Sequence, residues 1–418
     1  MPIHRHQLDA ATEALGLVLK FDRPADVVLH HYFRNRPALG AHDRAFVAES
    51  VFGILRRKRL IDRLARDAAP RQLLLGYLTR IAGVSLREIA QSLAPGEAKA
   101  IAGIKALAPD TLPFAVRVEL PDWVIERLRS SMSDTEILAL GRALQQPAPL
   151  DLRVNTVRAG RDVVLAELAA AAIAAQPTPY STVGIRLREK PAINRHDLFA
   201  NGAIEVQDEG SQLLGYLVAP RRRELVVDFC AGAGGKALML GALMQSHGRV
   251  YAFDVSAKRL ARLKPRLKRS GLSNLHPYVI RNENDIKVKR LAAKIDRVLV
   301  DAPCSGLGTL RRNPDLKWRQ SPEAVEELKC KQAAILTAAA GLVKPGGRLV
   351  YATCSLLPEE NQERVSGFLA AHPEFMLLHC GEILGSQRID LDTGPYLQLW
   401  PHIHGTDGFF AAAMTRMA

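Results

Sequence analysis

"ELVVDFCAGAGGKALMLGALM", residues 224–244, joins two apolar runs through a turn holding Gly232, Gly234 and Gly235. The first run, too continuous to alternate, reads as a strand buried on both faces, and the second as a helix packed on it. "RVYAFD" (249–254) supplies the next strand, and strand and helix segments continue through "RVLVDA" (297–302) and "RLVYATC" (348–354). Alternation of this kind builds an α/β, doubly wound, Rossmann-like parallel sheet, which we expect over residues 219–418.

Working outward, "QQPAPLDLRVNT" (145–156) is a proline-bearing connector leading into a strand. The Ala-rich helix "VVLAELAAAAIAA" (163–175), the strand "VGIRLRE" (183–189) and "GAIEVQDEGSQLLGYLV" (202–218) follow. They predict a small α+β subdomain over 146–218. Residues 1–145 read as all-helical: in "AHDRAFVAESVFGILRRKRLIDRLA" (41–65), Phe46, Val47, Val51, Ile54 and Leu55 recur at helical spacing, with Asp43 placed to cap.

The 418 residues carry 57 Lys and Arg against 43 acids, a formal charge of +14 that suits a polyanionic partner, nucleic acid or an anionic membrane surface. No apolar stretch approaches the ~20 residues of a membrane span, and "MPIHRHQLDAATEALG" (1–16) has no signal-like core, so a cytoplasmic protein is expected. Cys230, Cys304, Cys330, Cys354 and Cys380 are odd in number and contain no C-x-x-C pair, which suggests neither a disulfide framework nor a zinc cage. His402 and His404 in "PHIHG" read as a loop, and no metal is expected.

The turn at 230–236 matches G-x-G-x-x-A, and Cys230 and Ala237 stand where a Walker loop needs Gly and Ser or Thr. Asp254, closing the next strand about 20 residues on, holds the position from which a carboxylate grips ribose hydroxyls. An adenosine-containing cofactor follows, either NAD or S-adenosylmethionine. The cysteines decide between them. Cys304 and Cys354 both close apolar runs at strand ends. Hydride transfer needs no pair of thiols. Methylation at carbon 5 of a pyrimidine needs a thiolate that adds to carbon 6 and a second group that handles the proton leaving carbon 5.

"DFCAGAGGK" (228–236), "DAPCSGLGTLRRNPDLKW" (301–318) and "YATCSLLPEENQERV" (351–365), in this order and spacing, resemble the Sun/Nop family of RNA 5-methylcytosine methyltransferases. Within it they resemble the bacterial RsmB-type 16S rRNA enzymes. "VNTVRAGRDVVLAEL" (154–168) and "NGAIEVQDEGSQLL" (201–214) look like the family's RNA-recognition-like subdomain, "HGTDGFFAAAMTR" (404–416) like its closing strands, and the helical N-terminus, more loosely, like NusB.

The resemblance implies that Cys354 is the nucleophile and that Cys304 assists elimination. The residues alone leave the two roles interchangeable, since other cytosine methyltransferases use the cysteine after proline. It further implies that Asp301 sits near the methyl donor and the base, with Lys236 orienting it. Cys230, Ala231, Gly232, Ala233, Gly234, Gly235 and Lys236 would cradle the methionine end of S-adenosylmethionine, Asp254 its ribose, and Asp285 in "NENDIK" the adenine side. The chain departs from the family's usual "CAAPGGKT" at Gly232 and Ala233, where the family has Ala-Pro, and at Ala237, where it has Thr.

For RNA, Arg311, Arg312, Lys317 and Arg319 in "RRNPDLKWR" (311–319) are expected to flank a substrate-contacting loop, with Trp318 in the core. The seven basic residues of "KRLARLKPRLKRSG" (258–271) are expected to point outward from a helix that Pro265 kinks or shortens, and Arg56–Arg59 to form a solvated face or an RNA contact. The target cytosine must be unpaired or flipped out. The resulting expectation is a monomeric, S-adenosylmethionine-dependent RNA cytosine-5 methyltransferase acting on 16S rRNA, with residues 1–145 as a helical, NusB-like RNA-binding domain. The alternatives are a tRNA substrate, a non-catalytic ribosome-assembly or RNA-binding factor on the same scaffold, and an NAD-dependent oxidoreductase.

Overall fold

Residues 224–244 fold as their pattern dictates. In the computed structural model, which describes residues 3–65, 69–103 and 112–418, Leu225–Asp228 is a strand and Gly235–Leu243 the helix after it. Gly234 sits at the helix start with φ +81°, and a Cβ there would meet Leu263 Cδ1 at 2.2 Å, so conformation and close packing both require glycine.

Numbered in chain order, the strands are β1 Leu150–Val154, β2 Ala175–Pro177, β3 Gly184–Leu187, β4 Ile204–Val206, β5 Leu225–Asp228, β6 Arg249–Asp254, β7 Leu275–Val279, β8 Ile295–Asp301, β9 Val343–Thr353, β10 Phe375–Leu378, β11 Leu397–Leu399 and β12 Phe409–Arg416. The larger sheet has the order β10-β12-β9-β8-β5-β6-β7, with β11 also paired to β12. From β9 to β7 the pairing is parallel; β12 runs antiparallel to β9, and β10 and β11 antiparallel to β12. Chain order reverses between β5 and β8, which makes the carboxyl ends of those strands the ligand-binding crevice. Alternate residues feed two apolar layers: Val226, Leu299 and Val350 on one face, Val227, Val298, Val300 and Tyr351 on the other.

β1–β4 form a separate antiparallel sheet, order β2-β3-β1-β4, over its own core of Leu152, Val164, Leu168 and Ile185. The N-terminal helices Arg5–Val18, Ala25–Arg34, Ala41–Arg56 and Pro70–Arg80 pack around Leu8, Leu15, Val51, Ile54 and Leu74. Asp43 does not cap its helix, whose N-cap is Gly40; it accepts instead from Gln7 Nε2 at 2.8 Å.

Other features also differ from the sequence reading. The chain forms two compact units rather than three consecutive parts: residues 148–308 and 323–418 hold both sheets, while 309–322 leaves them and joins the helical residues 1–147. The basic segment 311–319 therefore belongs to the helical unit, with Arg311 and Lys317 buried and Arg312 and Arg319 only partly so. Lys317 is buried and donates to the carbonyls of Glu119 (2.6 Å) and Arg56 (3.2 Å); burial pushes its ammonium down to about 8. Asp315 accepts from the Ala25 N–H at 3.1 Å, and the Trp318 indole, packed against the helical core as expected, donates to Leu55 O at 3.2 Å. Arg56 in turn reaches Arg311 O at 3.1 Å and Arg59 chelates Asp122, so two members of the 56–59 cluster are structural ties.

The helix Ala257–Ser270 runs on through Pro265 for five more residues. Leu260 and Leu263 are buried on its inner face, and Ser256 and Gly271 close its two ends.

Candidate active site

The two cysteines meet because their strands are parallel neighbours. Asp301 of β8 lies in register with Ala352 of β9, and the ladder ends with Ala302 N donating to Ala352 O at 2.9 Å. Pro303 has no N–H with which to extend it. Cys304 and Cys354 therefore leave the same edge together, their Sγ atoms 3.5 Å apart, with Cys354 N–H directed at Cys304 Sγ at 3.3 Å. Gly308 closes the turn: its N–H donates to Cys354 O at 2.8 Å, and a Cβ there would collide with Gly408 O at 2.2 Å.

Beneath the thiols lies a buried carboxylate that the sequence reading missed. Glu360, fully inaccessible, accepts from Ser305 N and Gln332 Nε2, both at 2.9 Å, and from the Ser355 hydroxyl. Ser305 and Ser355 also share a hydrogen bond of 2.9 Å, so one side chain staples the turn after β8 to the turn after β9. Glu360 and Ser305 are 55 residues apart, and only the acid-rich "PEEN" (358–361) hinted at it.

Asp301 accepts from Lys236 Nζ at 2.7 Å. Burial works against charge on Lys236, but the Asp301 charge and hydrogen bond, with Asp228, outweigh it and hold the ammonium above its usual range. Asp228, the acid closing β5, was also overlooked. It is fully buried with neither oxygen in a hydrogen bond of regular geometry, and burial together with the Asp301 charge lifts its carboxyl to about 7. The Cys304 thiol is pushed well up by its hydrogen bond with Cys354 and by burial, and Cys230 is raised by burial and nearby carboxylates. At neutral pH both are thiols.

A cavity of about 300 Å³ opens along these strand ends, lined among others by Cys230, Asp254, Glu283, Asp301, Cys304 and Cys354. Asp254 is nearly inaccessible as a residue and accepts from the N–H groups of Gly232 (2.8 Å) and Ser256 (2.7 Å), which tie the glycine turn to the end of β6. The turn is also held by carbonyl-capping arginines: Arg153 of β1 donates to Gly235 O at 2.7 Å, and Arg266 to Ala233 O at 2.7 Å. Arg266 and Arg269 converge on the buried Glu205 of β4, so these two residues of the basic helix face protein.

Ala231, Gly232, Ala233, Gly234 and Gly235 form the turn beside the cavity, and Lys236 starts the helix. Asp285 is not brought to the cavity. It closes its own turn, accepting from Arg281 N (2.9 Å) and Lys287 N (3.0 Å), and Glu283 lines the wall instead. His404 Nδ1 accepts from Trp400 N at 2.9 Å, and among the described residues no group of three or more His, Cys, Asp or Glu could hold a metal.

A cavity of this volume suits a small-molecule cofactor. Its donor set suits a nucleoside one: Asp254 and Glu283 can take hydroxyls or amines, and Asp301 faces the thiols. Placed at the point where strand order reverses, it marks the catalytic unit as that of an S-adenosylmethionine-dependent methyltransferase. Residues 215–415 match the family described as 16S rRNA methyltransferase RsmB/F, and residues 120–194 the RsmF/B-like ferredoxin-like domain. The chain belongs to this RsmB/F family. It is 31% identical to the probable ribosomal RNA small subunit methyltransferase B of Synechocystis sp., over 94% of this chain and 96% of that one. Among solved structures, PH0851 superposes with a TM-score of 0.80 at 25% identity, over 100% of both chains. NSun6 from Pyrococcus horikoshii, solved with SFG, superposes with a TM-score of 0.63 at 19% identity, over 71% of this chain and 98% of that one.

Proposed function

We propose that this enzyme methylates carbon 5 of a cytosine in small-subunit rRNA through a covalent adduct on Cys354. The observation that carries the reading is the 3.5 Å separation of the two thiols on one cavity wall with Asp301. S-adenosylmethionine, when bound, supplies the electrophilic methyl group. The Cys354 thiolate adds to carbon 6, which turns carbon 5 into an enamine nucleophile. Cys304, held as a thiol, lies 3.5 Å from the Cys354 sulfur, within hydrogen-bond reach of it. Asp301 holds the proton at cytosine N3 or the exocyclic amine, and Lys236 fixes its orientation. Once carbon 5 carries the methyl group, Cys304 gives its own proton to solvent and its sulfur then takes the proton from carbon 5; the electron pair of that C–H bond re-forms the 5,6 double bond and Cys354 departs as the thiolate. The turn 230–236 and Asp254 would hold the cofactor, with Glu283 on its adenosine side in place of Asp285. Action in the cytoplasm follows from an rRNA substrate, and a monomeric state, read by light scattering, belongs to the same proposal.

The test is Cys304→Ala protein, purified from cells and run on a denaturing gel with and without ribonuclease. A nuclease-sensitive adduct that is absent from Cys304→Ala/Cys354→Ala supports the assignment. An adduct seen only with Cys354→Ala exchanges the roles, and no adduct with any variant removes the covalent step.

A further inference from the structure

The helical unit holds a second cavity, of about 460 Å³, into which four separate elements each deliver an arginine. Arg57 follows the helix Ala41–Arg56, Arg80 ends Pro70–Arg80, Arg117 lies in Phe114–Val118 and Arg142 in Asp134–Leu144. Gln145 and Gln146 add two amides, and among the described residues the remaining lining is apolar, with no carboxylate in it.

Elsewhere in this unit arginines take carboxylates: Arg36 with Glu13, Arg59 with Asp122, Arg71 with Asp9 and Glu97, Arg129 with Asp134. Among the described residues, Arg80 donates to Ile101 O at 3.1 Å, while no hydrogen bond or ion pair ties the side chains of Arg57, Arg117 or Arg142. A helix C-terminus favours a cation, which accounts for Arg80 and Arg142 individually. It does not account for four guanidinium groups around one concavity; Glu119 offsets Arg57 in part and solvent the exposed Arg142, and an anion in the cavity would offset all four together.

We propose that this cavity binds backbone phosphates of the substrate RNA, giving the enzyme a hold on rRNA separate from the catalytic cavity. Guanidinium forks pair two donors with two phosphate oxygens, and amides at the rim complete the acceptors' shell. A concavity of this size takes a phosphodiester with its sugar, not a duplex, so a single-stranded or looped segment is its ligand. The proposal rests on RNA being the substrate and is independent of which cysteine attacks.

The test compares full-length wild type with Arg117→Gln/Arg142→Gln, measuring binding of unmethylated 16S rRNA transcript from about 50 to 200 mM salt. Each lost phosphate contact should lower the salt slope by about 1, so the double variant should lose about 2, with affinity down roughly tenfold and kcat at saturating RNA unchanged. Arg117→Lys/Arg142→Lys should recover most of the slope, which a merely structural role would not predict. Should the double variant melt early, Arg142→Gln alone, at an exposed position, should still remove about one unit of slope. Unchanged affinity and slope in a variant of normal melting temperature overturns the proposal, as does loss of binding to a ribosomal protein with RNA binding intact. Wild type that binds and methylates no rRNA overturns both this inference and the proposed function.

Discussion

Asp228 is a carboxyl whose ionisation the fold resists, buried beside Asp301 and Asp254 and lifted from 3.8 to about 7. A carboxyl raised on folding stabilises the native state only while it stays protonated. Its contribution is constant below the unfolded pKa, declines as pH rises from about 4 to 7, and is fully lost above. Three pKa units correspond to about 4 kcal/mol. Asp228→Asn should therefore gain on wild type across that window and hold a constant lead above it, as melting temperatures at pH 4, 5.5, 7 and 8.5 would show; parallel curves would refute the assignment. Glu360 makes a different prediction. Glu360→Ala removes the carboxylate acceptor of the Ser305 N–H, while the Gln332 amide keeps Pro303 O and the Ser355 hydroxyl keeps Ser305, so the change should cost about 1–3 kcal/mol. It should also lower kcat about tenfold or more as the thiols drift apart, with little change in the KM for S-adenosylmethionine. The cysteine pair and Asp254 were legible in sequence because a strand end fixes where its last side chain emerges. Glu360 was not, because its partners lie far along the chain in other turns. Asp285 was harder to place, because "NENDIK" offers several polar side chains and no periodicity says which one its own turn will claim.

At the level of elements, the glycine turn shows how a flexible loop is held. Where the family has proline this chain has Ala233, and its carbonyl is gripped by Arg266, which is anchored in turn on Glu205. Glu205→Ala should strand two partly buried arginines and destabilise the catalytic unit by about 3 kcal/mol or more. Loosening of the turn should separately weaken cofactor binding. Thermal melts with and without S-adenosylmethionine distinguish the two effects, since a purely global effect leaves the ligand-induced shift intact. The helix that carries Arg266 was recognised from its leucine spacing. That two of its basic residues point into protein was not, because charge on a helix says nothing about which neighbour waits opposite. Pro265 was over-weighted for a related reason: packing of Leu260 and Leu263 sustains a helix that local propensity would end.

For the whole molecule, the decisive fact is that the chain passes between its two units three times, at 147–148, at 308–309 and at 322–323. Alternation of strand and helix made the catalytic fold readable. The excursion at 309–322 was hidden, because a run of basic residues beside a reactive cysteine looks the same whether it faces RNA or fills another core. A fragment of residues 148–418 should consequently expose Trp318, Asp315 and Lys317, and be less soluble than the full chain even if its sheet forms; equal solubility and melting temperature would contradict the packing described. The same connectivity sets a schedule for synthesis. The helical unit leaves the ribosome first but lacks its last segment until all of 148–308 has been made, a wait on the order of ten seconds or more at ~5–20 residues per second. During that interval the nascent helices should lack the packing that Trp318 and Lys317 later give Leu55 and Glu119, and the unit begun first is not finished until three-quarters of the chain has been made.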